Sequence, residues 1–283
     1  MRVAALSLAG VRLDGLSRYS EDLAGLLRGL NVQLAVLPAH TGLLLAWHTG
    51  ILAEAANFSE VFRLFQKKVS DWHSIFTELH GALAKETGVY LLAGTVLESD
   101  QGRFYQTAYL FNPRGEICGS QRQTHLNREE RQLGLSRGTE LALFSIEGIS
   151  AGIISGTDCR HPETGRILAL QGADILLHPG AMEAGFNCWA QAAGVWAQVQ
   201  QNQFWAVEAQ LCAAIAGRSF AAESAVIGPC EATPALSGYL ARGGAAAPAV
   251  SAALDQEARA KIKKSLPMLE LLNPKAYAAD LRR

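Results

Sequence analysis

The chain has 283 residues, 49% of them apolar, enough for one large α/β domain or two small ones around a substantial core. Its 25 Lys and Arg nearly balance its 26 Asp and Glu and are scattered along the chain, which argues against nucleic-acid binding. No apolar run reaches the roughly 18 uncharged residues of a membrane helix, and five cysteines, odd in number and far apart, show neither a disulfide framework nor metal-ligand spacing.

Strand and helix patterns then alternate. Val3 to Leu8 is a short apolar run that Gly10-Val11-Arg12-Leu13-Asp14 cuts off early. It therefore reads as a first buried strand rather than a leader, and a cytoplasmic protein is expected. Leu16, Leu23, Leu26, Leu27 and Leu30 recur at helical spacing, and Val32 to Leu37 is a buried-type strand stopped by Pro38. Phe62, Phe65, Val69, Trp72, Phe76, Leu79 and Leu83 mark one long amphipathic helix over Phe58 to Thr87. Tyr90 to Leu97 is a strand. Phe104 to Phe111 and Glu116 to Gln123 flank the turn Asn112-Pro113-Arg114-Gly115 as a β-hairpin.

The second half repeats the rhythm. Strands are predicted over Gly152 to Gly156, Asp174 to His178 and Ala213 to Gly217. Helices are predicted over Glu163 to Gln171, Trp189 to Glu208 and Leu254 to Lys264. Ser224 to Gly228 and Gly238 to Arg242 look like a second hairpin region. Gly243 to Ala249 is a low-complexity loop, and the Lys261 to Lys264 run is a solvated helix face. No linker interrupts the pattern. One mixed α/β domain over residues 1–283 is expected, with 254–283 forming a C-terminal helix and tail.

The segment Ile153-Ile154-Ser155-Gly156-Thr157-Asp158-Cys159-Arg160-His161-Pro162-Glu163 resembles the signature of the nitrilase superfamily of carbon–nitrogen hydrolases: an apolar strand, then Cys-Tyr-Asp-x-Arg-x-Pro-Glu. Asp158, Arg160, Pro162 and Glu163 match it. Other landmarks follow the family's order: Leu37-Pro38-Ala39, Gln121-Arg122-Gln123-Thr124-His125-Leu126 after the hairpin turn, Gly172-Ala173-Asp174 with His178-Pro179, and the late Asn273-Pro274-x-x-Tyr277. The resemblance implies a four-layer αββα sandwich that pairs through helices as a homodimer or larger homo-oligomer. No metal is expected from the cysteine and histidine spacing, and no cofactor is expected.

Members of that superfamily use a Cys nucleophile, two glutamates and a lysine. The thiolate attacks the carbonyl or nitrile carbon, a carboxylate takes its proton, and the ammonium stabilises the oxyanion. Carried over position by position, the nucleophile falls on Gly156, the first glutamate on Ala39 and the lysine on Gln123. The second glutamate falls on Glu130, with Glu129 as the alternative register. Three of the four groups are thus absent. The family's Arg-Ala-x-Glu-Asn reads Gln198-Val199-Gln200-Gln201-Asn202 here, and the tyrosine after the nucleophile reads Thr157.

Each remaining candidate has a plain structural reading beside the chemical one. Gly156 suits a strained strand-to-helix turn. Cys159, three residues on, is a substitute nucleophile if the helix start lowers its pKa, and otherwise a small half-buried thiol. Of Gly156 and Thr157, neighbours at a strand end, at most one should face the pocket. His40 is either a replacement base or a turn residue, and His125 and His178 are read as loop-bonding residues. Asp158 and Arg160 are expected to make a salt bridge or loop bonds beneath the turn. Loops over Leu43 to Asn57 and Ala181 to Asn187 are candidate covers. Glu130, in a pocket that Gly156 and Ala39 enlarge, would either point to solvent or pair with Arg128, Arg131 or a cationic ligand such as an amine, amidine or guanidinium. The expected function is a small-molecule binding, regulatory or assembly role on a hydrolase fold without Cys-dependent amidase or nitrilase activity. The alternative is a divergent hydrolase, transferase or cyclase on a small C–N compound, using Glu130 with non-classical groups.

Overall fold

The computed structural model describes residues 1–276 except Phe186 and Ala245; Tyr277, the end of the C-terminal motif, lies outside the described residues. In chain order the first half forms β1 (Arg2–Leu6), α1 (Leu16–Leu30), β2 (Leu34–Val36), α2 (Thr41–His48), α3 (Phe58–Thr87), β3 (Tyr90–Asp100), β4 (Arg103–Phe111), β5 (Ile117–Arg122) and α4 (Arg128–Gln132). Next come β6 (Leu143–Ile146), β7 (Ile149–Ile153), α5 (Pro162–Gln171), β8 (Ile175–Gly180), α6 (Cys188–Ala192), α7 (Val195–Asn202) and β9 (Trp205–Gln210). The chain then makes β10 (Ala213–Ile215), β11 (Arg218–Phe220), β12 (Ala225–Ile227), β13 (Tyr239–Arg242), β14 (Ala249–Ala253) and α8 (Gln256–Ser265).

The strands build two six-stranded sheets, ordered β14-β1-β2-β3-β4-β5 and β13-β12-β9-β8-β7-β6, with β10 and β11 as a separate hairpin. In the first sheet β1, β2 and β3 are parallel. β14 pairs antiparallel to β1, so that Arg2 faces Ala253 and Leu6 faces Ala249. In the second, β7, β8 and β9 are parallel. Val3, Ala5, Val36, Leu110, Ile153, Leu177 and Val207 meet between the sheets. Period-two alternation sends Ala4, Ala35 and Leu91 the opposite way, onto α1 and α3. Outside the other sheet, Leu168, Val195 and Val199 pack on Leu176, Phe204 and Ala206. The result is the expected αββα sandwich.

The helix over Phe58 to Thr87 forms as predicted, because its ends are well marked. The Asn57 side chain accepts from the Glu60 amide at 3.1 Å, the Glu60 carboxylate accepts from the Ala56 amide at 2.8 Å, and Gly88 closes the helix with a left-handed φ of 68°. Its stripe of Phe62, Phe65, Trp72 and Phe76 is fully buried.

Three sequence expectations are corrected. The helix predicted over Trp189 to Glu208 is two short helices and a strand: Gly194 separates α6 from α7, and Gln203, left-handed at φ 57°, ends α7. The consecutive apolar run Phe204 to Val207 then forms β9, buried on both faces. The segment Leu43 to Asn57 does not provide a covering loop over its first half, since Thr41–His48 is helical and Leu43, Leu44, Leu45 and Ala46 are buried. Buried on every side over Thr41 to Ala46, α2 has no polar face there to mark its period. Finally, the strand predicted to reach Gly156 stops at Ile153, and Gly156–Arg160 is a 3-10 turn.

Candidate binding cavity

The parallel strands of both sheets end on the same side of the sandwich, and their carboxyl ends surround a cavity of about 190 Å³. Ala39 and His40 follow β2, Gly156 and Cys159 follow β7, and Glu208 and Gln210 end β9. Gln106 enters from β4, Glu130 from α4 and Gln191 from α6. Ala39 and His40 are held there by Gly94, whose φ of 75° and missing Cβ let β3 pass directly beneath the carbonyl of Pro38; any side chain would collide with it.

Gly156 has φ 52°, the left-handed conformation in which a side chain is strained. A Cβ there would sit 3.1 Å from Gln123 Nε2 and 3.2 Å from its Oε1. The Gln123 amide therefore fills the space next to the position where a nucleophile would project. Gln123 Nε2 donates to the His125 carbonyl at 2.8 Å and to Glu130 Oε2 at 3.1 Å, and Thr157 Oγ1 donates to the same carbonyl at 2.6 Å. Gly156 and Thr157 both line the cavity, contrary to the strand-end argument, because a 3-10 turn does not alternate its side chains.

Asp158 holds this turn. Its fully buried carboxylate accepts from the Thr124 amide at 3.0 Å, the Thr124 hydroxyl at 2.8 Å, the His125 amide at 2.7 Å and the Ser155 amide at 3.1 Å. It makes the expected loop bonds and no salt bridge to Arg160 among the described residues. Arg160 is exposed at the cavity rim. The His125 ring lies 3.3 Å from Asp158 and stacks on His161 at 3.9 Å.

The two histidines on the cavity wall, His40 and His178, are poor bases. His40, left-handed at φ 61° before α2, packs its ring among Phe58, Phe62 and Phe220, and burial lowers its pKa to about 4. His178 is buried on β8, 3.1 Å from the Ile154 carbonyl, with the same shift and cause. Burial likewise pushes the Cys159 thiol up to about 12, so the turn does not activate it.

The two adjacent glutamates part company. Glu129 is bound bidentately by Arg218, at 2.7 and 2.8 Å. Glu130 is 8% exposed and closes a capping box with Asn127, accepting from its amide at 2.7 Å, next to Gln123. It pairs with neither Arg128 nor Arg131 among the described residues. Burial raises its pKa.

Sequence reasoning missed Glu208. It is 3% exposed, accepts from Gln210 Nε2 at 2.8 Å, and burial raises its pKa to about 7. Placed at the end of a supposed helix, it looked like a surface residue; a carboxylate inside the apolar run Trp205 to Ala209 was the available signal. Gln106, Gln191 and Gln210 were missed because amides carry no motif.

A sandwich of this topology, with its cavity at the carboxyl ends of the strands and a buried acid–amide turn after β7, defines a carbon–nitrogen hydrolase scaffold. The Carbon-nitrogen hydrolase family model matches residues 51–231, and the chain belongs to that family. It is 26% identical over 215 residues to "Omega-amidase NIT2-B" of Xenopus laevis, covering 73% of this chain and 76% of the relative. The carbon-nitrogen hydrolase from Helicobacter pylori G27 has a similar structure, with a TM-score of 0.78 at 20% identity, covering 100% of this chain and 97% of that one. A variant amidase from Nesterenkonia sp. AN1, bearing the product of Michael addition of acrylamide at its active site cysteine, superposes with a TM-score of 0.71 at 20% identity over 96% of this chain and 100% of that one.

Proposed function

We propose that this family member binds a small polar molecule and does not carry out Cys-dependent amide or nitrile hydrolysis. The observation behind this reading is the turn after β7, where Gly156 offers no nucleophile and the Gln123 amide fills the adjoining space. The nearest thiol, Cys159, is too weakly acidic to replace it. Ala39 and Gln123 supply neither the base nor the cation that such a mechanism needs. Loss of a nucleophile alone costs on the order of 10⁶ in turnover in the well-studied serine case. Five free cysteines support a reducing compartment, the cytoplasm. Ile167 and Leu170, exposed on α5, support self-association through helices into a homodimer.

A second reading has its own support. Glu208, titrating near 7, shares one cavity with Glu130, whose pKa burial also raises, and a carboxyl tuned toward neutrality suits non-covalent acid–base hydrolysis of a C–N compound. Purified protein assayed for ammonia release against amides, nitriles, carbamoyl and guanidino compounds separates the two. No release from a broad panel is expected. Release that disappears in Glu130→Ala or Glu208→Gln would establish the second reading and refute the first.

A further inference from the structure

The cavity holds a surplus of hydrogen-bond acceptors. Gln210 turns its Nε2 to Glu208 at 2.8 Å, and Gln191 turns its Nε2 to the Glu223 carbonyl at 2.7 Å. The Oε1 of each then has no partner among the described residues, and neither amide atom of Gln106 has one. All three side chains line the cavity and are buried, at 2% exposed for Gln106 and Gln210 and 7% for Gln191. Leaving such groups unmatched costs about 1–3 kcal/mol each, and with three acceptors against one donor, Gln106 Nε2, the balance favours a ligand that donates. Two carboxyl groups, Glu130 and Glu208, line the same space. The two histidines on its wall are neutral near pH 7, and Arg160, the one cationic side chain among its described lining residues, is exposed at the rim, where water weakens its pull on Glu208.

Resting on the binding role given above, we propose that this cavity receives a small organic cation whose head is a cluster of N–H donors (guanidinium, amidinium or ammonium), bound by Glu208 and Glu130 and by the amide oxygens of Gln106, Gln191 and Gln210. The carboxylates supply the charge, and the amide oxygens take the remaining hydrogens. An anion or a ligand rich in acceptors leaves those oxygens unmatched. Size sets the second limit. An engineered cavity of about 150 Å³ takes benzene, so a volume of about 190 Å³ admits a head group with a short alkyl tail.

Calorimetric titration with butylguanidinium, its neutral isostere butylurea, and butyrate tests this. At pH 8 the cation binds at least about tenfold tighter than butylurea, the least expected of one charge-assisted set of bonds. Glu208→Gln, checked for folding by its melting curve, brings the two within about threefold, and Glu130→Gln reduces the preference separately. The affinity for butylguanidinium falls about tenfold from pH 8 to pH 6 as Glu208 takes up a proton, while that for butylurea does not change. Burial sets this titration first, opposed by hydrogen bonds from Gln210, on β9 with Glu208, and from Gln191 on α6, and by the charges of Arg160 after β7 and Arg242 on β13; Cys159, Tyr239 and His178, paired with Glu208 across β8, are the other titratable groups facing it. Equal binding of butylurea or butyrate, no binding of the cation, or a preference that survives both substitutions would each overturn the proposal. Ammonia release during the titration would instead overturn the non-hydrolytic reading and leave the cation preference standing.

Discussion

Replacing Glu208 with Gln should stabilise the protein at alkaline pH and do little at acid pH. In the folded chain the carboxyl is fully buried and keeps its proton up to about 7, against an ordinary value of 4.5. Between those values the folded state holds a proton that the unfolded state has released. The stability linked to this group is therefore complete below about 4.5 and is lost as pH rises through 7. At roughly 1.4 kcal/mol per pH unit the loss is about 3 kcal/mol at pH 8. The new amide's oxygen can still accept from Gln210 Nε2, so the substitution removes the charge while keeping that bond. Urea unfolding of both proteins at pH 4, 6.5 and 8 should show nearly coincident midpoints at pH 4, most of the variant's advantage by pH 6.5, and about 3 kcal/mol at pH 8. In a thermal scan that is a rise of about 3–5 °C for a chain of 283 residues. Parallel pH profiles for the two proteins would refute the reasoning, because they would mean that Glu208 ionises in the folded state as freely as in water.

Other outcomes follow from the same geometry. Asp158→Ala leaves four donors without their acceptor beneath the Gly156 turn, and a loss of about 3 kcal/mol or more in denaturant unfolding is expected. Arg259, 5% exposed, reaches from α8 to Asp174 at 2.6 Å and to the carbonyls of Gln203 and Ala173. Arg259→Ala should cost about 3 kcal/mol and make the region around α8 the first site of limited proteolysis, read by mass spectrometry. At pH 8 Cys159 should react with iodoacetamide about a thousandfold more slowly than a free cysteine, as followed by peptide mapping; labelling at the ordinary rate would reinstate it as a candidate nucleophile.

The layers of the fold were legible in the sequence because amphipathic period is a strong signal. The stripe on α3 and the short apolar runs of β1, β2 and β8 were placed by pattern alone. Elements buried on all sides were not: α2 has no polar face over Thr41 to Ala46, and β9 continues the apolar character of α7 without a visible break. The same blindness affected the cavity. Gly156, Ala39 and Gln123 stood out because a motif marks their positions. Glu208, Gln106 and Gln191 come from three separate elements and converge only when the sheets stack. The left-handed residues Gln203 and His40 set critical turns without being glycine, and no local pattern flags them.

The antiparallel pairing of β14 with β1 sets a timetable for synthesis. Residues 2–6 leave the ribosome more than 240 residues ahead of their partner, residues 249–253. The edge of β1 that β14 will cover therefore presents unpaired backbone groups while everything between the two strands is made. At about 5–20 residues per second that wait lasts tens of seconds or less. During it the nascent sheet has one sticky border that only the late strand can seal. A premature stop anywhere before residue 249 leaves that border open for good, so truncated products should be found in aggregates rather than as smaller folded fragments.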